Sequence, residues 1–119
     1  MSDSIHVTEA GGSTLVVPTG ALDASGAPRL RAELIDLIAA GHDHLVVDLD
    51  QVEFIDSTGL GVLVGALKRV RTHGGDLRLV VTTDIVMRPL RITGLHRVFD
   101  IRDNREDAID VTSVPASAP

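Results

Sequence analysis

The sequence predicts a small α/β domain built on a mixed, mostly parallel β-sheet with packed helices. Short apolar runs typical of strands alternate with segments whose apolar residues recur at helical spacing. Strands separated by such helices pair in parallel, whereas the runs at 5–9 and 13–19, around Gly11-Gly12, predict an N-terminal antiparallel hairpin. Pro18 indicates either the end of its second strand or an edge position. The chain of 119 residues, 44% of them hydrophobic, is expected to form one domain around one core.

The first helix is predicted between the hairpin and the next strand. Ser25 is the expected N-cap, Pro28 fits the first turn, and Gly41 is expected to end the helix. Its apolar face is formed by Leu30, Leu34, Leu37 and Ile38.

The remaining chain continues the alternation of strands and helices. Strands are predicted at 44–49, 77–82 and 98–101, and helices from the turn at 56–59 to about His73, at 85–93, and from a cap at Asn104 through Val111. Pro89 leaves the start of the third helix open. We assign residues 1–112 to the domain and expect 113–119, rich in Pro, Ala and Ser, to be a flexible tail.

Composition excludes several classes of function. A net charge of −6, two Phe and neither Trp nor Tyr argue against a nucleic-acid partner, which needs clustered cations and stacking aromatics. The absence of cysteine excludes disulfides and thiolate metal ligands. No segment approaches the ~20 apolar residues of a membrane span, so we expect a cytoplasmic protein without membrane partners.

The turn Asp56-Ser57-Thr58-Gly59 is the strongest functional candidate. A hydroxyl at a helix start lies near backbone N–H groups without intrahelical partners and at the positive end of the helix dipole. Such a group can cap the helix, and it can also carry a phosphate. From the residues alone, Ser57 is either a cap or a switch.

Four ordered segments resemble the STAS domain of bacterial anti-sigma factor antagonists, most closely the actinobacterial type, over about residues 5–110. They are Gly20-Ala21-Leu22-Asp23, Phe54-Ile55-Asp56-Ser57-Thr58-Gly59-Leu60-Gly61-Val62-Leu63, Leu77-Arg78-Leu79-Val80 and Ile92-Thr93-Gly94-Leu95-His96-Arg97-Val98-Phe99.

The resemblance implies a phospho-switch that is not itself an enzyme. The unphosphorylated domain would bind an anti-sigma factor that is also a serine kinase and so free the sigma factor; phosphorylation of Ser57 would release the antagonist, and a PP2C-type phosphatase would restore it. Asp23 would lie on the same partner-facing surface, with Asp56, Ser57, Thr58 and Gly59. The chain would need no cofactor or metal. Thr58 is a second conceivable acceptor.

Two other functions stay open. A STAS-type scaffold in a larger sensory complex would bind other such domains instead of a kinase. A small phosphatase is suggested by Asp48-Leu49-Asp50, which resembles the strand-end loop of haloacid dehalogenase-type phosphatases, although Lys68 and Asp103 supply the remaining groups in a poor order.

The glycines at the start of the second predicted helix have a simpler structural interpretation than a nucleotide site. Gly59-Leu60-Gly61 with Gly65 and Asp84 imitates a dinucleotide fingerprint, but Asp56 crowds any phosphate with negative charge. Gly61 and Gly65 are instead expected to serve internal packing.

The histidines and the basic residues are expected to be solvated. His42-Asp43-His44 has no third ligand at a useful spacing, which argues against a metal site. The basic residues Lys68, Arg69, Arg71 and Arg78 are expected to form a cationic cluster near a helix end, where the helix dipole favours cations.

Overall fold

The main sheet has five strands, and the computed structural model describes residues 4–113, with side chains for residues 4–109. The strand order is β1-β2-β4-β6-β7, with bounds Ile5–Ala10, Ser13–Pro18, His44–Asp48, Asp76–Val80 and Asp100–Arg102. β1 and β2 are antiparallel and every other neighbouring pair is parallel. The predicted mixed sheet with its N-terminal hairpin is confirmed.

Alternation along the strands separates two apolar layers, because successive side chains point to opposite faces. One face, with Leu45, Val47, Leu77 and Leu79, packs against the helices α1 (Ala27–Ala39), α2 (Ser57–Thr72) and α3 (Asp84–Ile92). The other face, with Val46 and Val80, packs against Ala108 of α4 (Arg105–Ser113). The main core therefore lies beneath α1, α2 and α3.

A second, two-stranded parallel sheet was not predicted. It pairs β3 (Gly20–Leu22) with β5 (Val52–Ile55), and its register is irregular between Gly20 and Ala21. Strands of three and four residues are too short to show a period of two in the sequence. This small sheet matters for function because β5 leads directly into α2.

Two predicted boundaries are wrong for identifiable reasons. Ser25 does not cap α1: the N-cap is Gly26, and the backbone N–H of Ser25 instead bonds to Asp23. The last strand begins at Asp100, because Leu95–Arg97 form a 3-10 helix and the Val98 N–H bonds to the Leu95 carbonyl at 2.9 Å.

Other boundaries agree with the sequence. α3 spans Asp84–Ile92 and contains Pro89. Asn104 Oδ1 accepts a hydrogen bond from the Asp107 N–H at 2.7 Å and so caps α4, as predicted. Of the expected tail, Ser113 is the last residue of α4, and 114–119 lie outside the described residues.

Candidate functional site

The start of α2 presents two exposed hydroxyl groups. Asp56 is the N-cap, and its Oδ1 accepts hydrogen bonds from the backbone N–H groups of Thr58 at 2.9 Å and Gly59 at 3.4 Å. Ser57 and Thr58 are exposed, and within residues 4–113 no hydrogen bond engages the Ser57 hydroxyl. Asp56 therefore does the capping, which leaves the Ser57 oxygen accessible for chemistry.

The Asp23 loop lies beside this helix start. β3 and β5 are parallel with Leu22 opposite Ile55, so Asp23 and Asp56 follow paired residues at the same sheet edge. The Asp56 N–H bonds to the Leu22 carbonyl at 3.3 Å and ties the two strand ends together. The structure thus brings together the two regions that the sequence marked separately.

Asp23 is an anion held by the backbone of its own loop. Its Oδ1 accepts hydrogen bonds from the N–H groups of Gly26 and Ser25, each at 3.0 Å. The bond from Gly26, followed by that from Ser25, lowers the pKa of Asp23 below its ordinary value. Asp23 and Asp56 therefore give the surface around Ser57 a negative charge at neutral pH.

Two glycines allow these loops to approach closely. A Cβ at Gly59 would lie 2.4 Å from the Leu22 carbonyl oxygen, and a Cβ at Gly26 would lie 1.9 Å from the Ala21 carbonyl oxygen. Neither distance is tolerable for a carbon atom, so the chain needs glycine at both positions. Gly59 thus serves the close passage of α2 over β3.

The aspartates of the phosphatase hypothesis make structural contacts instead. Asp48 is 3% exposed; one of its carboxylate oxygens pairs with Arg105 and the other accepts the Asp50 N–H at 3.0 Å. Asp50 in turn accepts the Thr82 N–H at 2.7 Å. A carboxylate that is buried and ion-paired is poorly placed to attack a phosphoester.

The two histidines contact different partners, because His42 lies in the loop before β4 and His44 is the first residue of that strand. His42 Nδ1 lies 3.0 Å from the Thr14 hydroxyl oxygen and 3.3 Å from a Glu9 carboxylate oxygen, whereas His44 Nδ1 lies 3.1 Å from Asp76 Oδ1. Across the described residues, no group of three or more His, Asp and Glu side chains gathers as metal ligands would.

Arg78 does not belong to the cationic cluster on α2. It is 9% exposed and pairs with Asp76 at 2.7 Å and with Asp100 at 3.1 Å. Leu77 and Leu79 face α2, so Arg78 between them points to the opposite side of the sheet. The predicted cluster is therefore reduced to Lys68, Arg69 and Arg71.

Gly61 and Gly65 do not serve internal packing. Both are exposed, and a Cβ added at either position would meet no atom within 4 Å. They line a groove between α1 and α2 that the sequence reasoning missed. Their spacing of one helical turn indicated a close approach, but it could not tell whether the approaching group is internal or external.

The geometry defines a small α/β domain with an exposed helix-start hydroxyl between fixed carboxylates. The STAS domain profile matches residues 4–108, and the chain belongs to the STAS domain family. The anti-sigma-B factor antagonist of Bacillus subtilis (strain 168) is 40% identical over 90 residues, which cover 76% of this chain and 82% of that relative.

Solved structures agree with this assignment. An anti-sigma factor antagonist from Mycobacterium paratuberculosis is 28% identical, with a TM-score of 0.85 over 92% of this chain and 93% of that one. The Bacillus cell fate determinant SpoIIAA in its phosphorylated form is 19% identical, with a TM-score of 0.71 over 92% of this chain and 99% of that one. The latter likeness concerns the fold alone. Within residues 4–113, no helix is both long and apolar enough to cross a bilayer.

Proposed function

We propose that this domain is an anti-sigma factor antagonist whose partner binding is switched by phosphorylation of Ser57. The proposal rests mainly on the arrangement at the start of α2, where Asp56 caps the helix and the neighbouring Ser57 hydroxyl is exposed. The membership of the STAS family and the antagonists among its relatives supply the biological context.

In the proposed cycle, the unphosphorylated domain binds an anti-sigma factor that is also a serine kinase, and the sigma factor is freed. The kinase transfers the γ-phosphoryl group of ATP to Ser57 Oγ, the hydroxyl proton leaves, and ADP is formed. A PP2C-type phosphatase hydrolyses the ester and restores the serine. The chain itself catalyses no step and needs no cofactor; ATP and magnesium belong to the kinase.

The charge of the product explains its release. Phosphorylation adds roughly −1.5 to −2 charges at neutral pH. Asp56 already occupies the N–H groups of Thr58 and Gly59, so these donors do not neutralise the phosphate unless the cap is broken. The added charge therefore lies on a surface that Asp23 and Asp56 already make negative, and a partner shaped for the neutral serine is repelled.

The partner-binding surface in this proposal consists of Asp23, Asp56, Ser57 and Thr58, whereas Gly59, which the sequence also assigned to it, is buried and supports the surface from beneath. Asp23 and Asp56 orient the partner around the acceptor, while Gly59 lets the two loops form one continuous surface. Thr58 is exposed beside Ser57, and its backbone N–H is bound to Asp56.

The test is intact-mass spectrometry after incubation of the protein with ATP and a lysate of its native host. The wild-type protein should gain one phosphate, and Ser57→Ala should gain none. Thr58→Ala is the matched control and should be phosphorylated like the wild type. A phosphate that persists in Ser57→Ala and disappears in Thr58→Ala would move the acceptor to Thr58; no phosphate on the wild type would contradict the switch.

A further inference from the structure

Among the side chains of residues 4–109, none fills the groove between α1 and α2. It is lined by Arg31, Leu34, Ile35, Gly61, Val62, Gly65, Ala66 and Arg69. The groove is deepened at Gly61 and Gly65, because these residues carry no side chains. A Cβ added at either position would contact no other atom. Each glycine inside a helix costs about 1 kcal/mol relative to alanine, and here the fold gains no close packing in return.

The groove has a charge opposite to that of the protein. Arg31 on α1 and Arg69 on α2 flank it, and none of its lining residues is acidic. Among the described residues neither arginine forms an ion pair, whereas Arg78, Arg88, Arg91, Arg102 and Arg105 do. In a chain with a net charge of −6, two unpaired guanidinium groups across an apolar groove are complementary to a segment that carries carboxylates.

The groove begins one helical turn from Ser57. Gly61 lies one helical turn after Ser57 on α2, and Arg31 lies one turn into α1, which begins just after the Asp23 loop. A protein that brings its active site to Ser57 therefore comes close to the groove. Small floor residues let the backbone of an inserted segment come close to α2.

We propose that this groove docks an acidic segment of the kinase that phosphorylates Ser57. The proposal rests on the proposed function and adds the docking surface and the chemistry of the segment that it receives. Carboxylates of the segment pair with Arg31 and Arg69, and its apolar residues cover Ile35 and Val62 between them.

The test compares initial rates of Ser57 phosphorylation in native-host lysate, measured by intact mass at limiting substrate concentration. Arg69→Glu and the double variant Gly61→Ala/Gly65→Ala should each slow the reaction about tenfold, the effect of losing one binding hot spot. Lys68→Glu is the matched control, because it makes the same charge change on α2 outside the groove, and its rate should stay within about twofold of the wild-type rate. Circular dichroism should show both glycine substitutions folded, with an unchanged or raised melting temperature.

Each outcome has a definite meaning. Equal rates in all variants would overturn the groove proposal and leave the phospho-switch standing. Equal slowing by Arg69→Glu and Lys68→Glu would overturn it too, since a general charge effect would then explain the loss. If even the wild type gains no phosphate, the proposed function fails, and the groove proposal fails with it. A wild-type rate that falls with added salt, while the Arg69→Glu rate does not, supports the ion pairs.

Discussion

The substitution of alanine for glycine should have opposite effects at two positions of α2 that are two residues apart. At Gly59, the new Cβ would lie 2.4 Å from the Leu22 carbonyl oxygen and 2.9 Å from a side-chain carbon of Ile55. Overpacking of this kind costs about 1–3 kcal/mol. The Leu22 carbonyl also accepts the Asp56 N–H, so a shift that relieves the clash weakens a bond worth about 1 kcal/mol.

At Gly61 the same substitution meets open space. The gain in helix propensity is about 1 kcal/mol at either position. The net expectation is a loss of about 2 kcal/mol for Gly59→Ala and a gain of about 0.5–1 kcal/mol for Gly61→Ala.

Urea denaturation followed by circular dichroism measures both changes. With a slope near 2 kcal/mol per molar urea, the midpoint should fall by about 1 M for Gly59→Ala and rise by a few tenths of a molar for Gly61→Ala. The difference between the two variants tests the geometry, because propensity contributes equally to both. Midpoints that move in the same direction by similar amounts would refute the close approach of α2 to β3.

Further substitutions separate binding from folding. Ser57→Asp should weaken kinase binding by at least tenfold in calorimetry with an unchanged melting temperature, because charge is added without loss of the Asp56 cap; equal affinity would exclude the electrostatic mechanism. Ser57→Ala should bind the kinase but resist ATP-driven release, and dissociation of its complex on addition of ATP would contradict the switch. Asp23→Ala should slow phosphorylation or weaken binding with little change in melting temperature, whereas a drop of many degrees would assign Asp23 a structural role. Arg105→Leu should cost about 1–3 kcal/mol because it leaves one oxygen of the buried Asp48 carboxylate without its partner, and the double variant with Asp48→Asn should recover part of that loss; strictly additive effects would show that the pair is not coupled.

Local sequence signals predicted the parts of the fold that depend on local physics. The alternation of strands and helices, the Asn104 cap and the polar turn before α2 follow from hydrophobic periodicity and from the preference of oxygen-bearing side chains for helix starts. The same preference for oxygen-bearing side chains at helix starts predicted Ser25 as the N-cap of α1. Ser25 does not have this role, because Asp23 accepts the N–H groups of Ser25 and Gly26 and α1 begins at Ala27, one residue later than a Ser25 cap would place it.

The parts that the sequence did not reveal depend on contacts between distant segments. β3 and β5 form strands only because they pair with each other across about thirty residues of chain, and short segments carry no period. The role of Gly61 and Gly65 could not be decided because spacing indicates a close approach without naming the partner. The position of Arg78 could have been found, since alternation with Leu77 and Leu79 already places it on the opposite face of the sheet.

A phospho-switch works best where modification changes binding without unfolding the domain, and the α2 start meets that requirement physically. If Ser57 itself capped the helix, a phosphate there would compete with the cap, and the signal would be coupled to helix stability. Here Asp56 holds the Thr58 and Gly59 N–H groups, and the close approach at Gly59 fixes the helix to β3 independently of the serine side chain. A phosphate on Ser57 would therefore add its charge at the surface, where we expect it to alter the affinity for a partner without unfolding the helix. Asp23 is likewise held by N–H groups of its own loop, so its charge contributes to that surface without requiring a contact in the hydrophobic core.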